Sequence, residues 1–128
     1  MIPEKIAFLF VLIFFLIVFI QSGLDKVFDY KGNLSFLNDL LGAYFPRLLI
    51  PFALISVTIL ELISGIFCLI GIFSFIFNDS NFIGLIGLIV GSIALLVLLF
   101  GQRISKNYVG AQTITVYFIL AIIGIALA

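Results

Sequence analysis

Chemistry in this chain has few side chains to work with. Six basic and six acidic residues, one cysteine and no histidine are spread over 128 residues. Without histidine there is no imidazole ligand for haem, zinc or copper, and Cys68 alone makes neither an internal disulfide nor a CxxC redox pair. No metal site and no intrinsic cofactor are expected. Carboxylates, cations, hydroxyls and one thiol remain. Among them Glu61 stands out, because the stretch LELISG places it inside an otherwise apolar run. An ionised acid at the centre of a membrane helix costs roughly 2.5 to 3.5 kcal/mol, so it should face other protein and find a partner, or be neutral. Helical spacing puts Thr58, Gly65 and Cys68 on its stripe, with Ser64 beside it. The expected arrangement is a buried polar network joining Glu61 to Lys26 or Arg103, with hydroxyls from Ser64, Tyr108 or Tyr117. Such a network can carry function or can only fix helix register, and the residues leave both readings open. Cys68, in apolar surroundings, reads as a packed structural thiol.

The elements that must position these groups follow from composition. The chain is 65% hydrophobic and 9% charged, against about half apolar and a quarter charged in ordinary soluble domains. A soluble domain of this size could not hide so many Ile, Leu and Phe side chains, whereas lipid removes the need to. Four apolar runs, at about 6–27, 48–77, 82–100 and 111–127, have the length needed to cross a bilayer. The first is too long for the apolar region of a signal peptide and is read as a span. Backbone groups in lipid must be satisfied internally, so the runs are predicted as helices. The second run is too long for a perpendicular span, with Pro46 at an N-terminal turn and Pro51 at a bend. Between the first two runs, the spacing of Phe36, Leu37, Leu40, Leu41, Tyr44 and Phe45 predicts a short amphipathic helix over 34–45, capped by Asn33 or Ser35. The fold class is thus all-α: one membrane domain over 1–128, an antiparallel four-transmembrane-helix bundle with an interfacial helix between helices 1 and 2. Gly65, Gly84, Gly87, Gly91 and Gly124 form stripes of the kind that let helices approach closely, within the bundle or between copies.

Charge placement gives an orientation. Lys26, Lys31, Arg47, Arg103 and Lys106 fall in the first and third loops, against Lys5 alone on the other side. Basic residues favour the cytoplasmic side, which puts these two loops in the cytoplasm and both termini outside. The dispersed cations and zero net charge give no nucleic-acid footprint, so no nucleic-acid partner is expected.

Three stretches, GLDKVFDY, LELISGIFCLIG and GQRISKNYVGA, stand in this order around the predicted spans. Together with the four-helix layout they make the chain similar to the DoxX-like family of small membrane proteins, with its DoxD- and MauE-type relatives, over nearly its whole length. The resemblance implies a bacterial inner-membrane protein and a small partner of something larger. It implies no thiol relay here, because the chain has one cysteine. Two functions are therefore expected as alternatives. The first is a non-catalytic accessory or assembly subunit of a larger membrane complex, or a homo-oligomer, in contact with the lipid bilayer. The second is a redox-associated subunit whose polar pocket around Glu61 and Arg103 takes a quinone, a sulfur compound or a lipid. Transport would call for broken helices or an internal repeat, and neither is visible.

Overall fold

The computed structural model describes residues 2–128. They form five helices: α1 (Pro3–Phe28), α2 (Tyr30–Leu41), α3 (Leu49–Asn78), α4 (Phe82–Ile104) and α5 (Tyr108–Leu127). All except α2 are long and apolar enough to cross a membrane. Their outer faces carry exposed Phe10, Ile17, Phe73, Phe100 and Val116, a surface that water would penalise and hydrocarbon does not.

Helix boundaries follow local chemistry, and in three places they correct the expectation from sequence. Pro51 makes no bend in the middle of a run; it sits in the first turn of α3, where a missing N–H forfeits no intrahelical bond. The short helix begins at Tyr30 and ends at Leu41, four residues earlier at each end than the apolar spacing placed it. Asp29 is the reason. Its carboxylate accepts from the Gly32 N–H at 3.3 Å, and its carbonyl accepts from the Asn33 side-chain amide at 2.9 Å. The expected cap residue Asn33 is thereby drawn into the first turn, and α1 and α2 are separated by Asp29 alone. Of the apolar residues grouped by spacing, Phe36 and Tyr44 are exposed and Leu41 is buried. The third correction is α4, which continues past residue 100 through Gln102 and Arg103 to Ile104. It ends when Lys106 adopts φ 62°, which lets the Lys106 and Asn107 N–H groups return to the carbonyls of Arg103 at 3.2 Å and Gln102 at 2.9 Å. The Asn107 side chain then accepts from the Gly110 N–H and caps α5.

Glycines set the distances between helices. A Cβ on Gly71 would lie 2.6 Å from the Cα and N of Gly84, and one on Gly87 would lie 3.0 Å from the backbone N of Cys68. One turn further, Gly91 faces Ser64 and Phe19. Advancing a turn along α3 therefore moves back a turn along α4, with backbone almost against backbone. α1 meets α3 in the same opposed sense, Gly23 against Leu62 and Ile20 against Gly65. Gly124 of α5 closes on Val11 of α1 and Leu88 of α4. At the centre, Phe8, Leu12, Phe15, Phe19, Leu88 and Leu95 are buried, with Phe15 and Phe19 stacked at 5.2 Å.

Two alanine substitutions separate close approach from helix propensity. Gly71→Ala must push backbone from backbone and is expected to destabilise by about 2 to 3 kcal/mol, as overpacking does. Gly101→Ala meets nothing within 4 Å and is expected to stabilise by about 0.5 to 1 kcal/mol through helix propensity. Unfolding of both variants in mixed micelles by titration with a denaturing detergent measures the difference; equal effects would count against the α3–α4 contact.

Candidate functional site

The helix register brings one expected pair of charges together. Glu61 lies twelve residues into α3 and is 1% exposed. α3 has thirty residues, about 45 Å of helix against about 30 Å of hydrocarbon. Its first turns run past the end of α1, where α2 lies against them, and Glu61 comes level with the last turn of α1. There Lys26 Nζ stands 3.1 Å from Glu61 Oε1, its side chain 16% exposed.

The pair is close but not saturated. The 3.1 Å approach to Oε1 is poorly aligned for a hydrogen bond, and Oε1 has no hydrogen-bond partner. The aligned contact, from Lys26 Nζ to Oε2, is long at 3.5 Å. Lys26 makes its best hydrogen bond to Ser22 Oγ at 2.7 Å, one turn back on α1. An ammonium has three hydrogens; one is held by Ser22, one faces the carboxylate, and the third has only the Ser22 carbonyl at 3.5 Å. Both ions thus keep capacity for a further polar group.

The other expected members do not join them. Ser64 Oγ donates to the Gly87 carbonyl at 2.6 Å and ties α3 to α4. Arg103 is exposed and stacks over the Tyr108 ring, 4.7 Å from its centroid. Tyr117 packs edge-on against Phe14 with ring centroids 5.8 Å apart, more than three turns along α1 from Lys26. Cys68 is buried between α3 and α4 against Gly87. The network expected from sequence is therefore a pair, Lys26 and Glu61, supported by Ser22.

Beside the pair is a cavity of about 300 Å³, bounded by all five helices. Ser22, Lys26, Asn33 and Gln102 give it a polar side, and Leu37, Leu41, Leu54, Val57, Leu98 and Ile114 give it apolar walls. A volume of about 300 Å³ is at the lower end of ligand cavities, which are typically apolar with a few placed polar groups. α2 forms one wall through Asn33, Leu37 and Leu41. No protein-family model, curated protein or solved structure matches the chain.

Two of the cavity's polar residues were missed by the sequence reading. Gln102 precedes Arg103 by one residue, hence by about 100° around the helix, and only Gln102 turns inward. Its carboxamide oxygen is buried without a hydrogen-bond partner and lies beside Gly110 of α5. A polar residue near the end of an apolar helix was a usable signal, but the arginine next to it drew the assignment. Ser22 was visible four residues before Lys26, the helical spacing at which a hydroxyl reaches an ammonium.

Removing either charge leaves the other buried and unpaired, which costs about 3 to 5 kcal/mol in well-enclosed pairs. Lys26 keeps some access to its surroundings, so Lys26→Met is expected at the low end, about 3 kcal/mol. The double variant Lys26→Met/Glu61→Met is expected to recover most of that loss, because similar-sized apolar side chains replace a buried pair at little net cost. A double-mutant cycle by micellar unfolding reads this directly, and additive losses would show that the two charges do not interact.

Proposed function

We propose that this chain is an integral membrane protein of DoxX-like type: an antiparallel four-helix bundle with α2 at the membrane surface, acting as a non-catalytic accessory subunit that holds a carbonyl-bearing amphiphile beside Lys26. The observation that carries this reading is the cavity of about 300 Å³ with Lys26, incompletely bonded by Ser22 and Glu61, on its polar side. The amphiphile is the head of a quinone or the ester region of a lipid, two sources of the same chemistry. Its carbonyl oxygen accepts from the third hydrogen of Lys26, and its apolar body lies against Leu54, Val57 and Leu98. A bound quinone would supply electron and proton acceptance. This chain's own residues bind and orient the head group, while Glu61 fixes the position of Lys26 and offsets its charge. No cluster of histidine, cysteine and acid suited to a metal occurs among the described residues. In this reading any electron transfer belongs to a partner in the larger complex, or to the quinone pool.

Filling the cavity tests the reading. A short-chain benzoquinone is expected to raise the melting temperature of the purified protein by a few degrees. Leu98→Phe, which occupies the apolar side, should abolish the shift, and Lys26→Met/Glu61→Met should reduce it severalfold while the fold persists. Loss of the effect with the quinone but retention with an ester-bearing lipid identifies the lipid as the occupant. No shift with either ligand, or one that Leu98→Phe leaves intact, sinks the proposal.

The proposed orientation puts the α1–α3 connection and the α4–α5 turn in the cytoplasm of a bacterial cell, with both termini outside. It is supported by Lys26, Lys31, Arg47, Arg103 and Lys106 gathering at one end of the bundle, with Lys5 paired to Asp79 at 3.0 Å at the other. Because Cys68 is buried, single cysteines at Lys31 and Lys106 can be labelled without background from it. An impermeant maleimide is expected to react with both in inverted vesicles and with neither in intact spheroplasts. The opposite pattern reverses the orientation.

A further inference from the structure

A second polar surface lies outside the bundle, independent of the cavity. After Asp79 the sequence contains no acidic residue, and its only charged residues are Arg103 and Lys106. Both lie where α4 hands over to α5, at the end of two helices able to cross a membrane. Arg103 has no carboxylate within ion-pair distance among the described residues. The Tyr108 ring, 4.7 Å from the guanidinium carbon, holds its plane without neutralising its charge. The guanidinium borders an open groove of about 360 Å³ that also takes in Tyr108, Gln112, Thr115 and Val116.

The order of chemistry along this groove is informative. Tyr108, Gln112 and Thr115 stand at i, i+4 and i+7, one face of α5. The same face continues into Val116, Ile119 and Ile123, which are 64%, 55% and 48% exposed. Running from the helix end toward its middle, the surface is therefore cationic, then hydrogen-bonding, then apolar. A phospholipid presents the matching order of phosphate, glycerol ester and acyl chain. Guanidinium binds phosphate oxygens through two parallel N–H donors. The Gln112 amide and the Tyr108 hydroxyl supply donors for ester carbonyls. Basic pockets at the ends of membrane helices are the usual seats of acidic head groups.

We propose that this groove is a binding site for an anionic phospholipid, with Arg103 on the phosphate, Gln112 on the ester region, and an acyl chain along Val116, Ile119 and Ile123. The uncompensated charge of Arg103 selects acidic head groups over zwitterionic ones. The site does not depend on the occupant of the inner cavity or on orientation.

Native mass spectrometry of the full chain in a neutral detergent, with phosphatidylglycerol and phosphatidylcholine of the same acyl length in equal amounts, tests it. One basic residue near an anionic surface is worth about fivefold, so phosphatidylglycerol adducts should exceed phosphatidylcholine adducts by about that factor. Arg103→Gln should bring the ratio to about one, with helicity by circular dichroism unchanged, since the side chain is exposed. Lys31→Gln, on α2, should leave the ratio intact. The proposal is overturned if Arg103→Gln keeps the preference, or if Lys31→Gln loses it equally. It is also overturned if millimolar inorganic phosphate displaces the lipid, since the site would then be one for free anions.

Discussion

A carboxylate shut inside an apolar helix has to be answered by a cation, and this requirement fixes how α1 and α3 lie against each other. Lys26 is the cation within 4 Å of Glu61. For it to arrive there, the last turn of α1 must stand level with the middle of α3. The position of α1 then leaves the first turns of α3 without a neighbour on that side, and α2 supplies one. A shift of one turn, about 5.4 Å, would take the ammonium out of reach and leave a buried charge without a counter-ion. The ion pair is weak support for stability taken alone, since similar-sized apolar side chains could replace it. Its consequence is specificity of register.

The remaining contacts agree with that register. Opposed pairs along α1 and α3, Gly23 with Leu62 and Ile20 with Gly65, step in the direction that brings Lys26 to Glu61. The α3–α4 contact has its own marker in Ser64, whose hydroxyl bonds the Gly87 carbonyl across the two helices at 2.6 Å. In lipid no hydrophobic force drives helices together, so close backbone approach and such interhelical hydrogen bonds supply the association. Gly71 and Gly84 provide the approach, and Ser64 provides the bond.

What was legible beforehand divides along the same physical line. The four long helices could be read because twenty apolar residues in a row admit one solution in hydrocarbon, and Glu61 could be singled out because its burial is costly. The short helix was misplaced because its start is set by a single side chain, Asp29, whose preference for capping outweighs the apolar spacing downstream. The site was only half visible for a similar reason. Lys26 and Glu61 are constrained by charge, which sequence records, whereas Gln102 and Arg103 are assigned inside or outside by about 100° of helix rotation. That rotation depends on packing against Gly110, and no local pattern states it. Tyr117, expected as a hydroxyl of the network, instead lies at the level of Phe14.

The position of the cavity follows from where the close glycine contacts stop. Along α4 the buried glycines Gly84, Gly87 and Gly91 fall in the first half, where the helix touches α3 nearly backbone to backbone. Beyond Gly91 the buried residues are Ser92, Ala94 and Leu95, Leu98 lines the cavity, and a Cβ on the next glycine, Gly101, would meet nothing within 4 Å. The backbone-to-backbone contacts of α3 and α4 thus lie toward the end bearing Asp79, and the cavity lies toward the end bearing Lys26. α3 likewise runs from Gly71 and Gly65 at close contacts back to Val57 and Leu54 beside the cavity. The cavity sits at the end bearing Lys26, and α2 lines it with Leu37 and Leu41. The polar groups that line it, Ser22, Lys26 and Gln102, lie there because helix ends are where such residues escape the cost of lipid. Cavity and charge therefore coincide from two independent causes, the end of the close glycine contacts between α3 and α4 and the preference of polar residues for helix ends.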